Sequence, residues 1–168
     1  EELIFYTRNT DVDNINNSIR NRTLGIFIST KGKGERWHQS SSFEHNRPDY
    51  NLIHPATNSD GTILVFSSNM PGGKGGYDLY ISLQDHLGHW SKPRNLGATV
   101  NTEGNEVFPS FFKDEWLLFS SDGGAGQGGL DIYRSRWEED LFRYSASTPL
   151  DSSINSRYDD FGISLNDD

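Results

Sequence analysis

Three features of the sequence predict an all-β fold made of β-propeller blades. They are a repeat of about 53 residues, short apolar runs bounded by turn residues, and the lack of helical periodicity beyond a turn or two. Residues 64–82 (LVFSSNMPGGKGGYDLYIS) laid over residues 117–135 (LLFSSDGGAGQGGLDIYRS) are identical at 10 of 19 positions. Residues 101–108 fall on 155–162 at a shift of 54. A looser copy precedes these two. In it Ile4-Phe5-Tyr6-Thr7 is placed on Val65-Phe66-Ser67-Ser68 and residues 25–29 on 78–82, with Trp37 and Trp90 equally spaced after Ser29 and Ser82.

The elements follow in order. Residues 1–50 read as an incomplete first blade lacking its innermost strand, with a polar insertion at 9–21. Residues 51–104 form the second blade, with four antiparallel strands at 51–58, 62–68, 78–83 and 90–96. Asp60-Gly61 marks a tight hairpin turn between two of them. Residues 105–158 form the third blade, with Lys113-Asp114-Glu115 in place of that turn. Residues 159–168 begin a fourth. Four strands per repeat of this length is the signature of a propeller blade. Closed propellers have about four to eight blades, so about three are expected to be part of a ring of about six. The ring would be completed by further blades of the same protein or by a partner chain. A β-sandwich is the competing all-β arrangement, but it does not require the repeat. Phe66 and Phe119 are expected inside one inter-blade core, and Gly76 and Gly129 at positions needing positive φ.

Composition narrows the partners. A net charge of −9 disfavours nucleic acid and anionic membrane surfaces, which need a basic face. The absence of cysteine removes disulfides, thiol chemistry and thiolate metal sites. No apolar run reaches membrane-spanning length. The opening Glu1-Glu2-Leu3-Ile4-Phe5-Tyr6 reads as mid-strand rather than a signal peptide, so a processed product or an excerpt is expected.

Several motifs are weighed for chemistry. Residues 124–129 spell G-x-G-x-x-G but run into another strand, so a tight connection is expected rather than a dinucleotide site. Asp78 and Asp131 follow Gly-Gly at equivalent points, where a short carboxylate accepts hydrogen bonds from loop N–H groups. The alternative for them is a cation. Loops 72–76 and 123–129, with Glu103, Glu106, Asp159 and Asp160, are expected on one rim, where carboxylates converging on Ca²⁺ compete with a solvated acidic surface. No other cofactor is expected.

Residues 11–17 resemble the start of a calcium loop but lack its Gly and Glu, and Asn16 and Asn21 head glycosylation sequons. The five histidines show no zinc spacing, and no G-x-S-x-G elbow occurs. Asp60-Gly61 departs from the sialidase box, so catalytic residues are not expected, although paired carboxylates of a glycosidase are not excluded by counting. Trp37, Trp90 and Trp116 are expected in inter-blade packing. Trp137, in a polar turn, is the aromatic anchor expected for a protein contact.

His54-Pro55 through Ser68, then Gly72-Gly-Lys-Gly-Gly-Tyr-Asp-Leu-Tyr80, resembles the WD40-like propeller repeat (PD40) of TolB-like proteins. With Trp90-Ser-Lys-Pro-Arg-Asn-Leu-Gly97 and Asn101-Thr-Glu-Gly-Asn-Glu106, it looks like the version in OmpA-family outer-membrane lipoproteins. These include the periplasmic component of type IX secretion with TPR, propeller and OmpA-like domains. The resemblance spans residues 51–165 strongly and 1–50 weakly, and it covers no OmpA-like domain, so peptidoglycan binding is not implied. It implies a non-catalytic interaction scaffold in the periplasm, associated with the outer membrane, with protein partners in the cell envelope. The docking residues expected on that reading are Lys74, Tyr77, Glu103, Glu106, Trp137, Asp159 and Asp160. Structural repeat positions are Phe66, Gly76, Asp78, Tyr80, Phe119, Gly129, Asp131 and Tyr133. A glycan-binding or glycan-processing propeller is the alternative function.

Overall fold

A computed structural model describes residues 2–10, 23–32 and 36–164. The calcium-like run, both sequon asparagines and most of the polar insertion lie outside the described residues, as does the end of the expected fourth blade. The described chain is all-β, in three antiparallel sheets. The first holds β1 (Glu2–Thr10), β2 (Thr23–Lys31) and β3 (Ser41–Ser42). The second holds β4 (Leu52–Thr57), β5 (Ile63–Ser68), β6 (Asp78–Leu83) and β7 (Arg94–Asn95). The third holds β8 (Glu106–Phe112), β9 (Trp116–Ser121) and β10 (Asp131–Glu138), with β11 (Arg143–Tyr144) and β12 (Thr148–Pro149) both pairing with β10. Among the described residues no helix is long and apolar enough to cross a membrane.

The outermost strand of the second sheet is shorter than the sequence suggests. The expected run at 90–96 is reduced to Arg94–Asn95 and an isolated Gln84–Trp90 bridge. Pro93 has no N–H to give the ladder between them. The two hairpin turns also differ. Gly61 takes a φ of 69°, whereas Lys113 and Asp114 adopt 50° and 54° without being glycine. The Asp114 carboxylate accepts the N–H of Ser59 at 2.8 Å and its hydroxyl, joining the two turns.

Register corrects the alignment of the first copy by one residue. Tyr6 pairs with Phe27 as Phe66 pairs with Tyr80 and Phe119 with Tyr133. Tyr6, not Phe5, is therefore the counterpart of Phe66. A one-residue slip moves a side chain to the opposite face. Phe5 accordingly turns toward the second sheet and meets Trp90 edge-on at 5.9 Å.

The period-2 alternation of β5 and β6 serves two cores at once. Leu64, Phe66 and Tyr80 pack with Ile26, Phe43, Leu52 and Trp90. Val65, Leu79 and Ile81 pack with Leu117, Phe119, Tyr133 and Tyr144. Phe66 and Phe119 thus sit in separate clusters, not in one shared core, because successive sheets use opposite faces of the middle one.

The first strands of the second and third sheets carry matching bulges. The register shifts between Ile53 and Ala56 and between Val107 and Ser110. His54 and Phe108 sit there with φ of 52° and 53°, and Gly162, 54 residues on, has 73°. The His54 ring stacks on Phe108 at 3.9 Å, and Phe108 on Phe161 at 5.2 Å. The His54 N–H donates to Thr7 Oγ1 at 3.1 Å, and its Nδ1 accepts the Phe108 N–H at 3.4 Å. His54 therefore touches all three sheets.

Two outcomes are expected. Phe66→Ala and Phe119→Ala should each cost about 3–5 kcal/mol. Because they occupy different clusters, the double variant should lose the sum within about 0.5 kcal/mol, as read from urea unfolding. The second concerns pH. Burial lowers the His54 pKa from 6.5, so the unfolded chain binds its proton more readily than the fold does. Stability from this group is complete above pH 6.5 and is lost as pH falls through 6.5 toward the folded value. Unfolding measured between pH 5 and 8 should show a shallower acid loss in His54→Gln than in the wild type.

Candidate functional site

The expected rim is built by asparagines. Asn46, Asn101 and Asn155 each clamp one residue of β2, β6 or β10 by both backbone groups. Their Oδ1 atoms accept the N–H of Ile26, Leu79 and Ile132 at 2.9, 2.8 and 2.8 Å. Their Nδ2 groups donate to the carbonyls of the same residues at 2.7, 3.0 and 3.0 Å. A second set lies four or five residues on. Oδ1 of Asn51, Asn105 and Asp159 accepts the N–H of Leu24, Tyr77 and Leu130 at 2.8, 3.1 and 2.9 Å. Sequence reasoning gave these asparagines no role, although their recurrence every 54 or 55 residues was the signal that marks them.

The glycine loops lie on the linkers so held. Gly76 donates its N–H to the Gly104 carbonyl at 2.8 Å, and Asp160 to the Leu130 carbonyl at 2.6 Å. The expectation of positive φ at Gly76 and Gly129 fails, since neither adopts it. What excludes a side chain is proximity. A Cβ at Gly76 would come within 2.5 Å of Asn105 Oδ1, and one at Gly129 would strike Asp159 Oδ1. Likewise a Cβ at Gly75 would strike the Gly104 carbonyl, and one at Gly128 the Tyr158 carbonyl. Of these two loops, only Gly72 has a positive φ, at 95°. Asp78 accepts the N–H groups of Lys74 and Gly75 at 2.5 and 3.0 Å, and Asp131 those of Gln127 and Gly128 at 3.0 Å each.

The carboxylates of the rim are dealt out singly. Glu106 is fully buried, which corrects its place among docking residues. It accepts the Thr102 N–H at 3.0 Å, the Thr102 hydroxyl at 2.5 Å and the Ser121 hydroxyl at 2.7 Å. Burial raises its pKa against the pull of those donors. Asp160 does the equivalent work, accepting the Ser156 N–H at 2.6 Å. Among the described residues no group of three or more His, Cys, Asp or Glu side chains converges as a metal site. Lys74, Glu103 and Asp159 are exposed, and Tyr77 is half-buried with its hydroxyl accepting Asn51 Nδ2 at 2.8 Å.

The tryptophans divide. Trp90 is buried, whereas Trp37 is 43% exposed. Trp137 lies in β10 rather than in a polar turn, half-buried and edge-on to Tyr144 at 5.2 Å. Trp116 lies under Arg134 and Arg136, whose guanidinium carbons are 5.2 and 5.8 Å from the ring centroid. Beside it runs a groove of about 530 Å³, lined by Trp116, Arg134, Glu138, Glu139 and Asp140 among others.

Asn101→Ala and Asn155→Ala should each strand one buried strand N–H, at roughly 1–3 kcal/mol, since the carbonyls of Leu79 and Ile132 keep the N–H groups of Leu96 and Leu150. In urea unfolding both should cost more than Asn69→Ala, whose position is exposed. Equal losses would remove the clamp from the account of the rim.

No family model and no curated protein matches this chain.

Proposed function

We propose that the three sheets are successive blades of a β-propeller, and that the chain is a non-catalytic interaction scaffold in a periplasmic, outer-membrane-associated assembly related to secretion or the cell envelope. The observation that carries this reading is the serial identity of the sheets. Each is an antiparallel meander, the middle one packs against a different neighbour on each face, and the linkers are tied by the same asparagine clamp at matching positions. A ring of about six blades would need further sheets, from the same protein or a partner chain. The resemblance to PD40 repeats of OmpA-family lipoproteins supplies the compartment and the class of partner.

The docking face on this reading is the glycine-loop rim, with Lys74, Glu103 and Asp159 as its exposed charges. The second reading, a glycan-binding propeller, draws on the groove beside Trp116, where an aromatic floor meets several carboxylates. Arg134 and Arg136 already lie over that aromatic ring, which weakens it.

Photo-crosslinking in the native host separates the two. A crosslinking residue at position 74 or 103 should give discrete protein adducts that fractionate with the outer membrane. The same residue at position 86, in the exposed turn beyond the far end of β6, should not. Equal labelling from all three positions, or none, would sink the scaffold reading. Saturable oligosaccharide quenching of tryptophan fluorescence would favour the alternative.

A further inference from the structure

The third sheet departs from the second at one telling position. In the second, Asn95 on β7 faces Tyr80 on β6. Its amide donates to Asp78 Oδ2 at 2.8 Å. With the N–H groups of Lys74 and Gly75, both oxygens of Asp78 are engaged. The Tyr80 hydroxyl donates to the Met70 carbonyl at 3.3 Å. In the third sheet, Pro149 on β12 faces Tyr133 in the same register. Proline offers no amide. Both loop N–H groups go to Asp131 Oδ2, so Asp131 Oδ1 and the Tyr133 hydroxyl are left without a partner. Asp131 is 1% exposed and Tyr133 5%.

The glycine loop closes over both side chains. A Cβ at Gly124 would strike the Tyr133 hydroxyl, and one at Gly126 the Asp131 carboxylate. The negative charges of Asp131 and Glu106 add to burial in raising the Tyr133 pKa, so the surroundings are anionic. None of the ion pairs among the described residues involves Asp131. A buried carboxylate oxygen with neither donor nor counter-charge is costly. A water molecule would supply the donor alone, whereas a cation supplies the charge as well.

We propose that the buried side chains of Asp131 and Tyr133 together bind one hard, oxygen-seeking cation beneath the glycine loop, with Asp131 Oδ1 as its charged ligand and the Tyr133 hydroxyl oxygen as a neutral one, where the second sheet instead engages both oxygens of Asp78 with N–H donors. A single carboxylate makes it a weak site, on the order of millimolar, as in oxygen sites of low ligand charge.

The test is thermal unfolding of the whole 168-residue chain, stripped with chelator and titrated separately with CaCl₂, NaCl and KCl at constant ionic strength. Tb³⁺ luminescence excited through tyrosine is the second readout. The melting temperature should rise with the logarithm of cation concentration for at least one ion, and Tb³⁺ emission should appear. Asp131→Asn should abolish both responses, and Asp78→Asn should leave them. Pro149→Asn, which installs the missing amide, should abolish the cation response while melting at least as high as wild type in chelator. If Asp131→Asn fails to fold, Pro149→Asn carries the test alone. Indifference to every cation overturns the site, as does a response that survives in Pro149→Asn. A stabilised Pro149→Asn with no cation response in wild type means a bridging water and also overturns it.

Discussion

An asparagine side chain presents one acceptor and two donors, which matches the N–H and C=O of a single strand residue. The three sheets depend on that match. β7 pairs with β6 only at Tyr80 and Ile81, so the outward backbone groups of Leu79 have no full ladder partner there. Asn101, from the linker to the next sheet, takes the Leu79 N–H and shares its carbonyl with Leu96. Asn46 and Asn155 perform the same closure on Ile26 and Ile132. A buried peptide group left open is destabilising, so the clamp completes each sheet and fixes where the next one starts.

Once the linkers are held, the glycines follow. The loops at 71–76 and 123–129 lie flat on the linkers, with Asn105 and Asp159 so close that no side chain fits. Their composition is therefore a consequence of proximity more than of dihedral angle. The same close approach separates the rim acids. Glu106 and Asp160 turn back to cap Thr102 and Ser156 within their own linkers. What faces solvent is a smaller set than acidic composition alone suggests.

The repeat and the alternation made much of this legible in the sequence. Leu64, Phe66 and Tyr80 against Val65, Leu79 and Ile81 follow a period-2 alternation, and β5, β6 and β9 fall close to where the sequence puts them, although Phe66 and Phe119 were expected in one core rather than two. Three things were hidden. The slip that makes Tyr6 the counterpart of Phe66 is invisible where a copy is aromatic on both faces, as Phe5 and Tyr6 are. The burial of Glu106 depends on Thr102 and Ser121 converging from different segments, which no spacing announces. The left-handed φ of His54 and Phe108 occurs in residues other than glycine, and only Gly162, their counterpart in the next copy, marks the position.

A repeat also shows where function has room to reside. Positions whose contacts recur are held by the fold: Asp78 and Asp131 on their loops, Asn101 and Asn155 on their strands, and Ser82 and Ser135 donating to the carbonyls of Ser91 and Ser145. Positions released from such contacts are free to diverge. Lys74 becomes Gln127, Glu103 becomes Arg157, and the aliphatic Ile81 becomes Arg134. The first two are exposed rim positions, where the positive charge of Lys74 is lost at Gln127 and the negative charge of Glu103 is reversed at Arg157. A partner docked on this face, as proposed, would distinguish the sheets by those side chains, because the backbone beneath them is held alike in each.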